Sequence, residues 1–413
     1  MRLPARRRTG LLLAVSLSCA ATAAPGEELI EEDSFDELRD FTLLDTRQAH
    51  LDVSPLHALL APYDRLRAHL VERYGFEYVI TFSPIWQAGT QDERRTTYDQ
   101  KLEVVGHWHL LEHERFGAGS LLYRLESLVT LGNTTADFSE AAGSSYGLND
   151  GDTSPDKNLN SIAVFAWEHL LFGDRLRLVA GKLDPNDFVA LNRFVGDDRE
   201  DFFATPLSAN PVPPIFEANA LGAFASYTVP FGHVSAMVID AEGDKRGFDL
   251  SHLDRDNYHY AAELALTPVV PGLGPGEYRL TYYRSDDNTE SSSSGHALSL
   301  SFDQDLGERY GASLKFAHAW RQQTAVETTL AAGLTWRQPL GFRDDQIGIG
   351  LVFSDASNED PDNERDQYAL EAYWRFQLTK RIEFTPDVQF IVNPARGGSD
   401  FRFVGGLRVR IIL

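Results

Sequence analysis

The sequence predicts an all-β chain, a transmembrane antiparallel up-and-down β-barrel of about 16 strands preceded by a short N-terminal helix. Three observations lead there. After Gly75 the apolar residues recur at every second position as far as the C-terminus, the period of a strand with two unlike faces. The alternating segments run ten residues or more, against the ~5–6 usual in globular proteins. The chain is also rich in rings, with 25 Phe, 15 Tyr and 6 Trp, while its mean hydropathy is only −0.29. A barrel shows lipid at alternate positions, so its average stays polar while its aromatics run high.

Composition removes several other classes. One Cys among 413 residues excludes disulfide scaffolds and cysteine-built metal or redox centres. Asp+Glu 61 against Lys+Arg 38 leaves a net charge of −23, the wrong sign for gripping nucleic acid phosphates. Past residue 24 no run reaches the ~18 apolar residues of a spanning helix.

Residues 1–23 read as a secretory signal peptide. Arg2, Arg6, Arg7 and Arg8 begin it, Leu11 to Ala21 form its apolar stretch, and Ala21-Thr22-Ala23 supplies the small residues of a cleavage site. Loss of those four arginines makes the charge four units more negative, and Cys19 leaves with them. An acidic leader follows over 24–53. A helix is expected over 54–74, capped by Ser54, with Pro55 in its first turn and Leu56, Leu59, Leu60, Tyr63, Leu66 and Leu70 on one stripe; its place is the periplasmic mouth, the alternative being a partial plug inside the pore. The barrel occupies 75–413.

Sixteen strands are expected near 76–86, 100–112, 118–131, 159–172, 175–184, 217–229, 232–241, 257–267, 276–285, 295–304, 308–319, 327–338, 345–354, 366–378, 381–392 and 401–413. Tight connections such as Phe231-Gly232, Asp305-Leu306-Gly307 and Thr379-Lys380 alternate with long polar ones at 132–158, 185–216, 242–256 and 355–365. In the last strand Phe401, Phe403, Leu407, Val409 and Ile411 oppose Arg402, Arg408 and Arg410. A soluble sandwich would turn the charged face to water outside. Strand length and aromatics at strand ends favour the inverse, a charged face around a wet lumen, and sixteen strands leave room for a channel.

The C-terminal stretch LEAYWRFQLTKRIEFTPDVQFIVNPARGG (370–398) with VGGLRVRIIL (404–413) resembles the closing strands of the carbohydrate-selective porins, the OprB family. LRAHLVERYGFEYVITF (66–82), AGKLDPNDF (180–188) and FFATPLSANP (202–211) agree with it. The terminal Leu413 departs from the Phe that outer-membrane barrels usually end on. The resemblance implies facilitated diffusion of monosaccharides or small oligosaccharides into the periplasm, without enzymatic chemistry; a general or polysaccharide-export channel is the alternative. Expected partners are sugars as permeating solutes, outer-membrane lipid and lipopolysaccharide, and the barrel assembly machinery, with monomer and homotrimer both open. No cofactor and no metal are expected.

Sugars are neutral polyols, so a selective lumen should offer forked donors, carboxylate acceptors and aromatic faces. Strand parity nominates Arg177, Glu263, Arg279, Lys315, Arg337, Glu371, Arg375, Asp387, Gln389, Arg402, Arg408 and Arg410. Lys182 joins them at the head of 185–216, the candidate constriction loop. Each has a plainer reading, an ion pair that stiffens the wall. Gly143-Ser144-Ser145-Tyr146-Gly147 has the nucleophile-elbow pattern without the flanking strand and helix. His107 and His109 share a strand face but lack a third ligand. The acidic run 355–366 lacks the spacing of a calcium loop and reads as a solvated extracellular loop.

Overall fold

The computed structural model describes residues 46–149, 157–196, 199–217, 219–251, 257–287, 294–321, 324–356 and 365–413. The signal peptide 1–23, most of the leader 24–53 and most of the acidic run 355–366 lie outside them. Among the described residues seventeen strands follow a helix. In chain order they are α1 (Ser54–Tyr74), β1 (Phe76–Gly89), β2 (Thr96–His113), β3 (Gly117–Thr130), α2 (Thr135–Ala142), β4 (Asn158–Leu171), β5 (Leu176–Leu183), α3 (Thr205–Ser208), β6 (Ala220–Val229), β7 (Gly232–Asp240), β8 (Tyr258–Leu266), β9 (Val269–Val270), β10 (Gly274–Ser285), β11 (Gly295–Leu306), β12 (Tyr310–Trp320), β13 (Val326–Arg337), β14 (Gln346–Ala356), β15 (Gln367–Thr379), β16 (Ile382–Val392) and β17 (Phe401–Ile412).

The two-residue β9 pairs with the start of β10 and adds nothing to the wall. The other sixteen strands each pair antiparallel with their sequence neighbours, and β17 closes on β1 through pairs from Thr81↔Ile412 to Gly89↔Val404. Closure removes the sheet edges that would otherwise carry open backbone groups. All sixteen expected strands are present. Boundaries shift by up to four residues, and two of the shifts have visible reasons. Asp305 and Leu306 pair with Gly311 and Tyr310, so the turn there comes later, after Leu306. β6 begins at Ala220 because the preceding residues still belong to a segment folded inside the barrel.

The outer face is apolar, with Leu102, Leu178, Leu264, Leu280, Leu330, Leu334, Ile349 and Leu351 all exposed. Ring pairs border that band at both ends. Phe76–Trp108, Tyr310–Trp336 and Trp374–Phe376 lie near the short turns, and Phe353–Tyr368 and Phe390–Phe401 near the long loops. This is the arrangement of a lipid-facing wall with two interfacial girdles. The short-turn end is periplasmic in such barrels.

α1 crosses that periplasmic rim. Asp64 meets Arg381 in the β15–β16 turn at 2.6 Å, the Arg67 guanidinium lies 5.2 Å from the Tyr78 ring, and the Trp108 indole donates to the Tyr74 carbonyl at 3.1 Å. Val53 rather than Ser54 stands at the N-cap, while Gly75 ends the helix in the left-handed conformation at φ 63°. The packed face is not the apolar stripe. Leu59 and Leu66 are 74% and 53% exposed, whereas Arg67 is buried. Burial draws its pKa down to about 10 despite the nearby tyrosines and acids.

The apolar core sits inside the barrel. Two long segments fold inward, the described parts of 184–219 and 131–149, and their side chains meet wall residues in two clusters. Phe188, Val189, Val212 and Ile215 pack on Val79, Val105, Leu122, Val179 and Phe224. Phe138, Tyr146, Leu148, Val195, Phe202 and Leu207 pack on Ala331, Val352, Tyr373, Ile391 and Val404. The inner face is therefore not uniformly charged. Segment 131–149, which reads in sequence as one more polar loop, is an ordered filler. Its helix α2 opens with a reciprocal cap between Thr134 and Asp137, and Leu148 accepts from Gln87 (2.9 Å) and Gln389 (2.8 Å) on the wall.

Candidate pore constriction

Segment 184–219 seats its rings on wall positions where a side chain is missing. Gly311, Gly333, Gly348, Gly350 and Gly406 all face inward. A Cβ at Gly311 would lie 2.4 Å from the Phe194 ring, one at Gly348 2.9 Å from Phe202, and one at Gly406 3.0 Å from Phe203. Interior strand glycines mark the close approach of another chain segment. The alternating Gly348-Ile349-Gly350 is thus a seat for Phe202, the visible sequence signal of an inward loop.

Polar tethers complete the seating. Glu371 accepts from the backbone N–H groups of Phe203 and Ala204. Glu263 accepts from Arg279 (2.7 Å), Thr281 (2.6 Å) and the N–H of Ala190 (2.7 Å), and Arg279 also donates to Glu277 at 2.8 Å. The Lys315 ammonium donates to the carbonyls of Val195 and Ala209. Arg408 donates to the Asp201 carbonyl at 2.9 Å with its guanidinium 4.7 Å from the Phe203 ring. Gln389 holds Leu148 and also donates to Asp387 at 3.2 Å. The two inward segments interlock as well, since Thr205 donates to the Gly147 carbonyl through its N–H (3.0 Å) and its hydroxyl (3.1 Å).

Among the residues nominated by parity, Glu263, Arg279, Lys315, Glu371, Asp387, Gln389 and Arg408 are buried on the inner face beneath these segments. Arg177 is buried there against Glu168 at 2.7 Å. Arg337 lies at the periplasmic end, 3.0 Å from Asp305, and Arg402 at the long-loop end, half-buried. Arg375 and Arg410 meet on Glu200, Arg375 at 2.5 Å. Lys182 is a correction. It pairs in register with Phe165 and Leu221, on the face that Leu178 and Ala180 also share, so it points away from the lumen. There its ammonium donates to the carbonyls of Asp244, Lys245 and Gly247, and Phe248 packs edge-on to Phe165 with ring centroids 5.7 Å apart. Lys182→Met is expected to leave conductance unchanged while loosening 242–251, seen as faster proteolytic nicking, since hydrogen bonds to a charged group contribute ~1.5–3 kcal/mol.

A belt of alternating charge emerges that parity alone did not assemble. On one side Lys101 lies 3.3 Å from Glu103 and 3.4 Å from Glu126, and Glu103 takes Arg199 from the inward segment at 2.8 Å. The next residue, Glu200, joins Arg375 and Arg410, and Arg410 reaches Glu383 at 3.4 Å. The registers Gln377↔Glu383 and Glu383↔Arg410 line these groups up across three strands. Lys101, Glu126, Arg375 and Glu200 keep 15–21% exposure in this crowded interior, so the belt borders the remaining free lumen. Arg199 and Glu200 sit in irregular chain, where no periodicity announces them. His107 and His109 lie with ring centroids 5.8 Å apart, and among the described residues no group of three potential ligands could hold a metal ion.

A closed wall that is apolar toward lipid and charged within, narrowed by its own chain, defines a membrane-spanning diffusion channel of the porin class. Residues 151–413 match the carbohydrate-selective porin family OprB. The chain belongs to that family and is an outer-membrane carbohydrate porin. Porin AaxA of Chlamydia felis is 21% identical over 312 residues, 74% of this chain and 69% of that protein, and its Chlamydia abortus counterpart is 22% identical over 311 residues, 74% and 68%. The high-pH structure of Pseudomonas putida OprB superposes with a TM-score of 0.70 at 16% identity, covering 85% of this chain and 97% of that one. The low-pH structure of the same protein gives 0.55 at 15% identity, covering 85% and 96%. At such identities the likeness shows the fold alone.

Proposed function

We propose that sugars cross by facilitated diffusion into the periplasm through the passage left between the inward segments, selected by the charged belt at Arg375, Arg410, Glu200 and Glu383. The observation that carries this reading is the belt itself. It offers planar guanidinium forks and carboxylates, held in fixed positions by mutual pairing, to a solute made of vicinal hydroxyls. Because these four groups pair with one another, the belt presents hydrogen-bonding groups in fixed positions to a neutral polyol. Rings such as Phe203, stacked under Arg408, keep the tethered segment rigid. The basic and apolar leader 1–23 supports export through a signal peptide.

Liposomes carrying the porin are expected to swell faster with glucose than with an uncharged amino acid of similar size, and more slowly as sugars lengthen. Equal rates for the two would reject sugar selectivity and leave a general channel.

A further inference from the structure

We propose that the N-terminal strap 46–51, which lies outside the barrel in sequence, supplies a charged residue to the channel itself: Arg47 is a selectivity-determining residue of the periplasmic vestibule. The strap is docked by its backbone and by its side chains. The N–H groups of His50 and Leu51 donate to the carbonyls of Gln377 (3.0 Å) and Leu378 (2.8 Å) at the end of β15. The His50 ring stacks on Phe342 with centroids 3.9 Å apart and lies 2.8 Å from the buried Asp345 carboxylate. Arg343 donates to the Thr46 carbonyl, and the Gln48 N–H meets Asp344.

From this anchorage Arg47 turns into the barrel. Its guanidinium reaches Glu383 at 2.8 Å and Gln377 at 3.4 Å, both inward-facing, and the Arg47 side chain is only 8% exposed. Glu383 thereby has one carboxylate oxygen on Arg47 and the other on Arg410. The result is a chain of alternating charges, Arg47, Glu383, Arg410, Glu200 and Arg375. Arg47 is one of three cations in this chain of charges, so its loss makes the chain more negative. Opposite charges within ~4 Å in a region poorer in water than bulk interact strongly, and such rings of charge govern ion selectivity. A permeating ion therefore meets a potential fixed partly by a residue that precedes the first strand by almost thirty positions. This does not rest on sugar passage, because ion selectivity reads the same charges whatever solute the channel carries.

The test is the reversal potential of single channels in a KCl gradient, on full-length protein whose heat-modifiable migration shows a folded barrel. Arg47→Ala is expected to shift the channel toward cations, Arg47→Glu to shift it further the same way, and Glu383→Gln to shift it toward anions. The double variant Arg47→Ala/Glu383→Gln should return close to the wild-type value. Wild-type reversal potentials in both folded Arg47 variants would overturn the proposal. A double variant that keeps the full shift of Arg47→Ala would show that Glu383 does not offset Arg47, and overturn it equally.

Discussion

Replacing Gly350 with leucine is expected to lower single-channel conductance, and replacing Phe202 with alanine to raise it. Gly350 is an inward wall position over which the tethered segment is already in contact. A Cβ there would stand 2.5 Å from a Leu207 methyl and 2.9 Å from the Phe202 ring. The wall is stitched to strands on both sides and cannot recede, and Glu371, Lys315 and Arg375 hold the segment within the barrel. It must therefore shift toward the free lumen, at an overpacking cost of ~1–3 kcal/mol. Phe202→Ala acts in the opposite direction. The ring is fully buried, its removal costs ~3–5 kcal/mol of local stability, and the vacated space lies beside the channel. Ile349→Leu, on the lipid face of the same strand, serves as control with no change expected. Conductance moving in the same direction for both inward variants would show that the segment does not set the bore.

The second large effect is expected at Arg410. Its guanidinium is 1% exposed and bridges Glu200 on the inward segment to Glu383 on the wall. Arg410→Ala leaves two carboxylates facing each other across the gap with one fewer cation between them. Removing one partner of a buried ionic cluster costs ~3–5 kcal/mol, and here part of that is met by Glu200 moving away with its segment. The expected outcome is loss of sugar-induced current block together with a shift toward cation selectivity. Arg410→Lys should restore the ion selectivity but not the block, because an ammonium keeps the charge and lacks the planar fork that holds two acids in one geometry. Block unchanged in Arg410→Ala would return this residue to wall structure alone.

Much of this molecule is legible along the chain, and the illegible part is confined to one kind of place. In β15, Tyr368, Leu370, Ala372, Trp374 and Phe376 alternate with Gln367, Glu371, Tyr373, Arg375 and Gln377, and the structure puts the first set toward lipid and the second inward. Parity works there because the lipid boundary tests every second side chain. Lys182, nominated by its place before the inward segment and not by parity, is the miss: the alternation of its strand turns it outward with Leu178 and Ala180, where a loop supplies carbonyls. Parity fails across the inner wall of β1 to β7, where Val79, Val105, Leu122 and Val179 face inward as apolar residues because the segment covering them is apolar.

The sequence by itself determined the strand number, the order of the strands, which face meets lipid and which end carries the short turns. Each of these follows from interactions between near neighbours or between a side chain and its solvent, and each leaves a period in the chain. Only the tertiary structure decided what fills the barrel. That 131–149 joins 184–219 inside, that Arg199 and Glu200 complete the belt, and that Arg47 enters it from before the first strand depend on contacts between residues far apart in sequence. Such contacts are set by the space left once the wall has closed, and they impose no repeat that a reading along the chain could detect.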